Sequence, residues 1–361
     1  MPYAPAVSAA VDTRAMPPVQ HSLSLGVGME TKERKRTAIK ESILDCIGDT
    51  PLVRLRSFSE SVGVDVVAKL EGANPGQSAK DRIALSMVDD MERSGRLAPG
   101  GTVIETTSGN TGFALAMICA VRGYDCILVT NDKISKSKHD ALLALGARVE
   151  ICPSKVPAED PRSYYERAKT LHREIANSVY INQYFHPGNP SAHYHTTGPE
   201  IWRQSGGQLT HFFAPVGTGG TISGTSRYLK EQDDTVQVIG VDAYGSALTK
   251  YHETREFDAE QIYPYLLEGV GKNIIPDNVH FDRIDTMVQV GDRESALEAR
   301  ELAKSDGILV GFSSGAVLAA IRLIAQELPR DATVVALMSD HGAKYFDKIF
   351  DDKWMADKGL L

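Results

Sequence analysis

From Ile43 onward, short runs rich in Val, Ile, Leu and Thr alternate with segments whose apolar residues recur every three to four positions. Continuous or period-2 apolar runs make strands, and a 3.6-residue period makes helices. Sustained alternation of the two predicts an α/β chain with parallel-rich sheets covered by helices. Strands are predicted at Asp65–Leu70, Thr102–Glu105, Asp125–Thr130, Arg148–Cys152, Val179–Asn182, Leu209–Val216, Gln237–Asp242, Met287–Val290, Ile308–Val310 and Thr333–Leu337. Helices fall between them, with Gly123 closing Gly112–Arg122 and Gly146 closing Ser135–Leu145. Glycine is the residue that best tolerates the left-handed turn past a helix end. A chain of 361 residues can bury enough surface for two lobes.

Composition narrows the function classes. Hydrophobic residues at 42% with charged residues at 24% fit an ordinary soluble protein. The net charge of -8 argues against nucleic acid as a partner. The longest apolar run, Phe113 to Val121, is too short to cross a membrane. Cys46, Cys119, Cys126 and Cys152 show no disulfide, zinc or haem spacing, so no metal is expected and a reducing cytoplasm fits. Residues 1–38 lack periodicity and end in the basic cluster Lys32, Arg34, Lys35 and Arg36, which reads as a disordered extension. That segment has no apolar core for a signal peptide, and Met29 is an alternative start.

Four stretches carry chemistry. Lys80, in Ser78-Ala79-Lys80-Asp81-Arg82, falls on the first turn of a helix after a loop of breakers, where a cation is oddly placed. Thr106-Thr107-Ser108-Gly109-Asn110-Thr111-Gly112 follows a strand and opens a helix, which suits an anion site or simply an N-cap. Val216-Gly217-Thr218-Gly219-Gly220-Thr221-Ile222 lets backbone N–H groups approach a phosphate closely. It is not a dinucleotide fingerprint, because Ile222 stands where the third glycine belongs; nor is it a P-loop. In Gly311-Phe312-Ser313-Ser314-Gly315 a neutral hydroxyl could meet a ring nitrogen, or merely cap a helix. An amine, a phosphate cup, an amide and a ring-nitrogen partner together make a pyridoxal phosphate site.

On these motifs the chain resembles the fold-type II pyridoxal-phosphate enzymes, the β-replacement family of cysteine synthase and cystathionine β-synthase, over about residues 41 to 361. Ile47-Gly48-Asp49-Thr50-Pro51-Leu52, Asn74-Pro75-Gly76 and Glu268-Gly269-Val270-Gly271 add to the likeness. His193-Tyr194-His195-Thr196-Thr197-Gly198-Pro199-Glu200-Ile201-Trp202 is similar to the catalytic core of the cystathionine β-synthase branch. The resemblance implies a two-lobed fold of the tryptophan synthase β type. A large cofactor-binding domain would span residues 39–83 and 186–361, and a smaller mobile domain residues 84–185. It implies that Lys80 carries pyridoxal 5'-phosphate as a Schiff base and moves protons. Gly217, Thr218, Gly219, Gly220 and Thr221 would hold the phosphate, Asn110 the ring hydroxyl and Ser313 the pyridine nitrogen. Thr107, Ser108, Thr111 and Gln183 would cradle the substrate carboxylate, with Tyr184 positioning the substrate.

The implied reaction is β-replacement through an aminoacrylate, with L-serine and L-homocysteine giving L-cystathionine and water in a homodimer. Alternatives are cysteine synthesis from O-acetylserine or O-phosphoserine with sulfide, and a diaminopropionate-type synthase with an amine acceptor. The chain ends where the regulatory tandem domains of longer relatives would begin, so regulation by an adenosyl ligand through them is not expected. Lys272, where some relatives carry tyrosine, is either a solvated surface lysine or a guide for the acceptor's carboxylate. A nicotinamide dehydrogenase is disfavoured by Ile222, and a non-enzymatic partner of this fold by the intact Lys80.

Overall fold

Ten strands build two sheets in a computed structural model that describes residues 39–107, 109–157 and 159–361. They are β1 (Leu52–Arg54), β2 (Asp65–Leu70), β3 (Thr102–Thr106), β4 (Asp125–Asn131), β5 (Arg148–Cys152), β6 (Ser178–Tyr180), β7 (His211–Pro215), β8 (Gln237–Ala243), β9 (Thr286–Val290) and β10 (Thr333–Met338). One sheet has six strands in the order β1-β2-β10-β7-β8-β9, and the other four in the order β5-β4-β3-β6. Apart from β1, which runs antiparallel to β2, the pairings are parallel. The chain is therefore α/β as the alternation predicts.

Burial explains why these runs read as nearly continuous apolar segments. All five residues of β7 are buried, and so are five of the six in β10, because helices cover the sheet on both sides. The Phe312–Ile324 helix is buried through its first ten residues, and packs in the same core as Val66, Phe213, Val241 and Val334. Leu115, Ile118, Leu128 and Leu142 form a core on the four-stranded sheet.

Two local expectations need correction. Ile308–Val310 is not a strand; its only ladder contact is an isolated antiparallel bridge from Val310 to His341. Its apolar residues serve the packing of the helix that follows, which composition cannot distinguish from a strand. Conversely, β1 is a three-residue edge strand inside the opening motif, too short to show a period. The expected extension, residues 1–38, lies outside the described residues. Among the described residues no helix is long and apolar enough to cross a membrane.

Strand order decides what meets at the C-terminal edges. β10 lies between β2 and β7, so the chain leaving each of the three emerges side by side. Those exits lead to Lys80, to the glycine loop at 216–221 and to Ser339-Asp340. In the other sheet β3 pairs with β6, which brings the 106–111 loop beside Gln183. Open parallel sheets bind ligands at such edges.

Candidate active site

A cavity of about 360 Å³ opens where these exits converge, and Lys80 lines it. The loop carrying Lys80 is fastened to the end of β10: Ala79 N–H donates to the Ser339 carbonyl at 2.9 Å, and Ser78 bridges Asp340. Behind it, Arg82 is clamped between two carboxylates, donating to Glu71 at 2.6 and 2.8 Å and to Glu200 at 2.7 and 2.8 Å. Lys69 donates to Glu200 at 2.6 Å and completes a buried set of two cations and two anions. Such a set is tolerated in a core because every charge is paired and hydrogen-bonded. It fixes the first turn of the Lys80–Arg93 helix, so Arg82 is structural, as is Asp81, which accepts from Gly76 N–H.

Burial, and after it the charge of Lys272, brings the Lys80 amine down to about 8, with Asp340 acting the other way. An amine in that range can exchange protons near neutral pH.

The glycine loop opens the Gly220–Gln232 helix, whose N-terminus has no side-chain cap. Its first-turn N–H groups are left for an anion. Only glycine fits there. A Cβ on Gly217 would stand 2.6 Å from the Gly269 carbonyl oxygen, and one on Gly220 1.8 Å from Asn189 Oδ1. Gly219 adopts φ +91°. Thr218 and Thr221 hydroxyls are buried against Asn189 Nδ2 and His193 Nε2, both at 3.1 Å. Burial drives His193 down to about 3, so it is a neutral support for Thr221. Gly217, Thr218, Gly219 and Thr221 line the cavity, whereas Gly220 lies behind its wall against Asn189.

Asn110 is held on both sides. Its Nδ2 donates to Asp340 Oδ2 at 2.7 Å, and its Oδ1 accepts from Lys344 Nζ at 2.7 Å. Tyr345 donates to the same Asp340 oxygen at 2.8 Å, while Asp340 Oδ1 is buried without a partner among the described residues. One Nδ2 hydrogen of Asn110 remains for a ligand oxygen. Ser313 sits in the first turn of its helix, 3% exposed and lining the cavity.

Thr107, Thr111, Gln183 and Tyr184 line the same cavity. Thr111 donates its hydroxyl to Gln183 Oε1 at 2.7 Å. Ser108 lies outside the described residues. Beneath the cradle, Glu105 accepts from Thr106 N–H at 2.6 Å and from Gln183 N–H at 3.1 Å, tying the two loops together. Burial pushes Glu105 up to about 7. Lys272 lines the cavity as well, so it is not a solvated surface lysine.

Asp340, Lys344, Glu105 and His193 were not among the sequence candidates. For Asp340 a signal existed. Ser339-Asp340-His341-Gly342 is a small polar turn leaving a strand, like the three loops already singled out.

The cavity fits the expected cofactor. It presents an amine, a glycine loop where a Cβ on Gly217, Gly219 or Gly220 would collide with its neighbours, an amide with a second Nδ2 hydrogen, and a neutral hydroxyl. Ser313 can accept from or donate to a ring nitrogen without requiring its protonation.

Comparison with known proteins agrees. The model of the family described as "Pyridoxal-phosphate dependent enzyme" matches residues 43–340. The chain is 41% identical over 333 residues to "Cystathionine beta-synthase" of Apis mellifera, covering 92% of this chain but only 65% of that protein. It is 37% identical to "Cysteine synthase 1" of Neurospora crassa, covering 91% of this chain and 88% of that one. The solved structure of O-ureido-L-serine synthase superposes with a TM-score of 0.80 at 32% identity, covering 88% of this chain and all of the other.

Proposed function

The chain belongs to the pyridoxal-phosphate dependent enzyme family, and from that premise we propose that it catalyses β-replacement, joining L-serine to L-homocysteine to give L-cystathionine and water. The observation that carries β-replacement is that Lys80 and a neutral Ser313 line one cavity, and the L-serine and L-homocysteine part is supported by the likeness to the Apis mellifera protein. When bound, the cofactor supplies an electron-withdrawing ring conjugated to the substrate nitrogen, which acidifies the α C–H. Ser313 would meet the ring nitrogen without protonating it, which would keep that withdrawal moderate and favour loss and replacement of the β-substituent over transamination.

The protein's own groups do the rest. Thr107, Thr111 and Gln183 would bind the donor's carboxylate, and Asn110, oriented by Asp340 and Lys344, would hydrogen-bond the cofactor's ring hydroxyl. Lys80 Nζ, which would hold the cofactor at rest, would take the α-proton and deliver it to the departing hydroxyl, which leaves as water. The acceptor's sulfur would then bond to Cβ, and its S–H proton, taken up by Lys80 Nζ, would be delivered to Cα. In this reading residues 84–185, which carry the four-stranded sheet, close over the substrate as a lobe. The Lys138–Glu268 pair, 2.6 Å apart, is one place where that lobe meets the rest.

The Neurospora relative's name supports a second reading, cysteine synthesis from O-acetylserine and sulfide. Incubating purified protein with serine, O-acetylserine or O-phosphoserine, each with homocysteine or sulfide, and weighing the products decides between them. The proposal expects cystathionine from serine and homocysteine as the fastest product. Cysteine from O-acetylserine and sulfide as the dominant product would replace it with the second reading.

A further inference from the structure

We infer that Lys272 is a second anion subsite of this cavity, built to take the carboxylate of an amino-acid thiol acceptor. Its backbone is held from several sides. The Lys272 N–H donates to Ser246 Oγ at 2.9 Å, and its carbonyl accepts from Ala247 N–H at 2.8 Å and Ser246 Oγ at 3.1 Å. Gly271, at φ +73°, donates its N–H to the Val216 carbonyl at 2.8 Å, which ties this turn to the glycine loop. A Cβ on Gly271 would stand 2.7 Å from the Tyr265 hydroxyl, so the turn is packed closely enough to aim its neighbour. The side chain enters the cavity, with Nζ 5.3 Å from the centre of the Tyr184 ring.

The other lysines at the mouth are already neutralised or hydrogen-bonded. Lys138 and Lys348 both pair with Glu268, and Lys344 serves Asn110 and the Gly76 carbonyl. Lys272 meets no carboxylate among the described residues; the Tyr184 hydroxyl and ring are its company. A half-buried ammonium without a counter-ion is unfavourable until a ligand provides one. The donor's carboxylate already has hydroxyl and amide donors in Thr107, Thr111 and Gln183. A full positive charge beside the Tyr184 ring, in a cavity that Tyr265 also lines, suits a second carboxylate on a short aliphatic chain. Sulfide has no such group.

The identity of the acceptor rests on the β-replacement reading, but the anion site does not, and the experiment separates the two. Holoenzyme is titrated calorimetrically with 4-(methylthio)butanoate, which carries the carboxylate but neither a thiol nor an amine, and with 3-(methylthio)propylamine, which lacks the carboxylate. Lys272→Met should weaken binding of the carboxylate probe about tenfold, as loss of a charge-assisted contact does. Lys272→Arg should largely restore it, and added salt should shrink the difference. In turnover, the preference for L-homocysteine over 3-aminopropane-1-thiol should fall by about the same factor in Lys272→Met. Equal binding of the carboxylate probe to wild type and Lys272→Met overturns the inference, as does an equal loss for both probes. Absence of turnover with any donor and thiol would instead sink the β-replacement reading, while the calorimetry still decides the subsite.

Discussion

Lys80 shows how one side chain acquires its chemistry from its surroundings. Burial and the positive charge of Lys272 favour its neutral form, against the pull of Asp340. Only the neutral amine attacks an aldehyde. The rate of cofactor incorporation into apoprotein should therefore rise as pH passes through about 8 and level off above it. Stopped-flow absorbance measures this, and Lys272→Met should move the inflection upward, since it removes a cause of the depression. A flat or falling profile would contradict the assignment. Lys80 was legible in the sequence because its breakers, its helix and its neighbours are contiguous. The pairing of Asp340 and Lys344 with Asn110 was not, because Asn110 lies 230 and 234 residues away and only the fold brings them together.

At the scale of elements, the site is a set of strand exits joined to helix starts. The Gly220–Gln232 helix can receive an anion because its first residue has no side chain to collide with Asn189. Gly220→Ala would drive a methyl group into the Asn189 side chain, in a region with no slack. It should cost about 1–3 kcal/mol from overpacking, and lower cofactor affinity at least several-fold by shifting the first-turn N–H groups. Thermal unfolding and equilibrium dialysis of the cofactor measure the two effects. Unaltered affinity would mean that this helix start does not hold the phosphate. Most elements were readable from periodicity, since buried parallel strands advertise themselves as apolar runs. Ile308–Val310 was misread for that same reason, and the edge strand β1 was missed because three residues display no pattern.

For the whole molecule, the buried set of Arg82, Lys69, Glu71 and Glu200 joins the helix of Lys80 to β2 and to the Thr197–Ser205 helix. Burial raises the Glu200 carboxyl, but the hydrogen bonds and charge of Arg82 and Lys69 outweigh it and hold the group down at about 2. A carboxylate depressed in the folded state stabilises it fully above its unfolded value of 4.5. That contribution is lost as pH falls from there toward about 2. Glu200→Leu should destabilise the protein by roughly 3–5 kcal/mol at neutral pH, because it leaves buried cations short of an anion. It should also flatten the pH dependence of stability between pH 4.5 and about 2. Urea unfolding at several pH values tests both, and a loss under 1 kcal/mol would show that the set is dispensable. That Glu200 is one of the carboxylates holding Arg82 could not be read from the chain, since the two are 118 positions apart.

The central claim is that one lysine, Lys80, holds the cofactor in a cavity assembled from the exits of both sheets. Sodium borohydride reduction of the holoenzyme fixes the cofactor on whichever lysine carries it, and peptide mass mapping then reads its position. The account predicts a pyridoxyl phosphate adduct on the peptide containing Lys80 and on no other. An adduct on Lys272, Lys344 or any other lysine, with the Lys80 peptide unmodified, would contradict it.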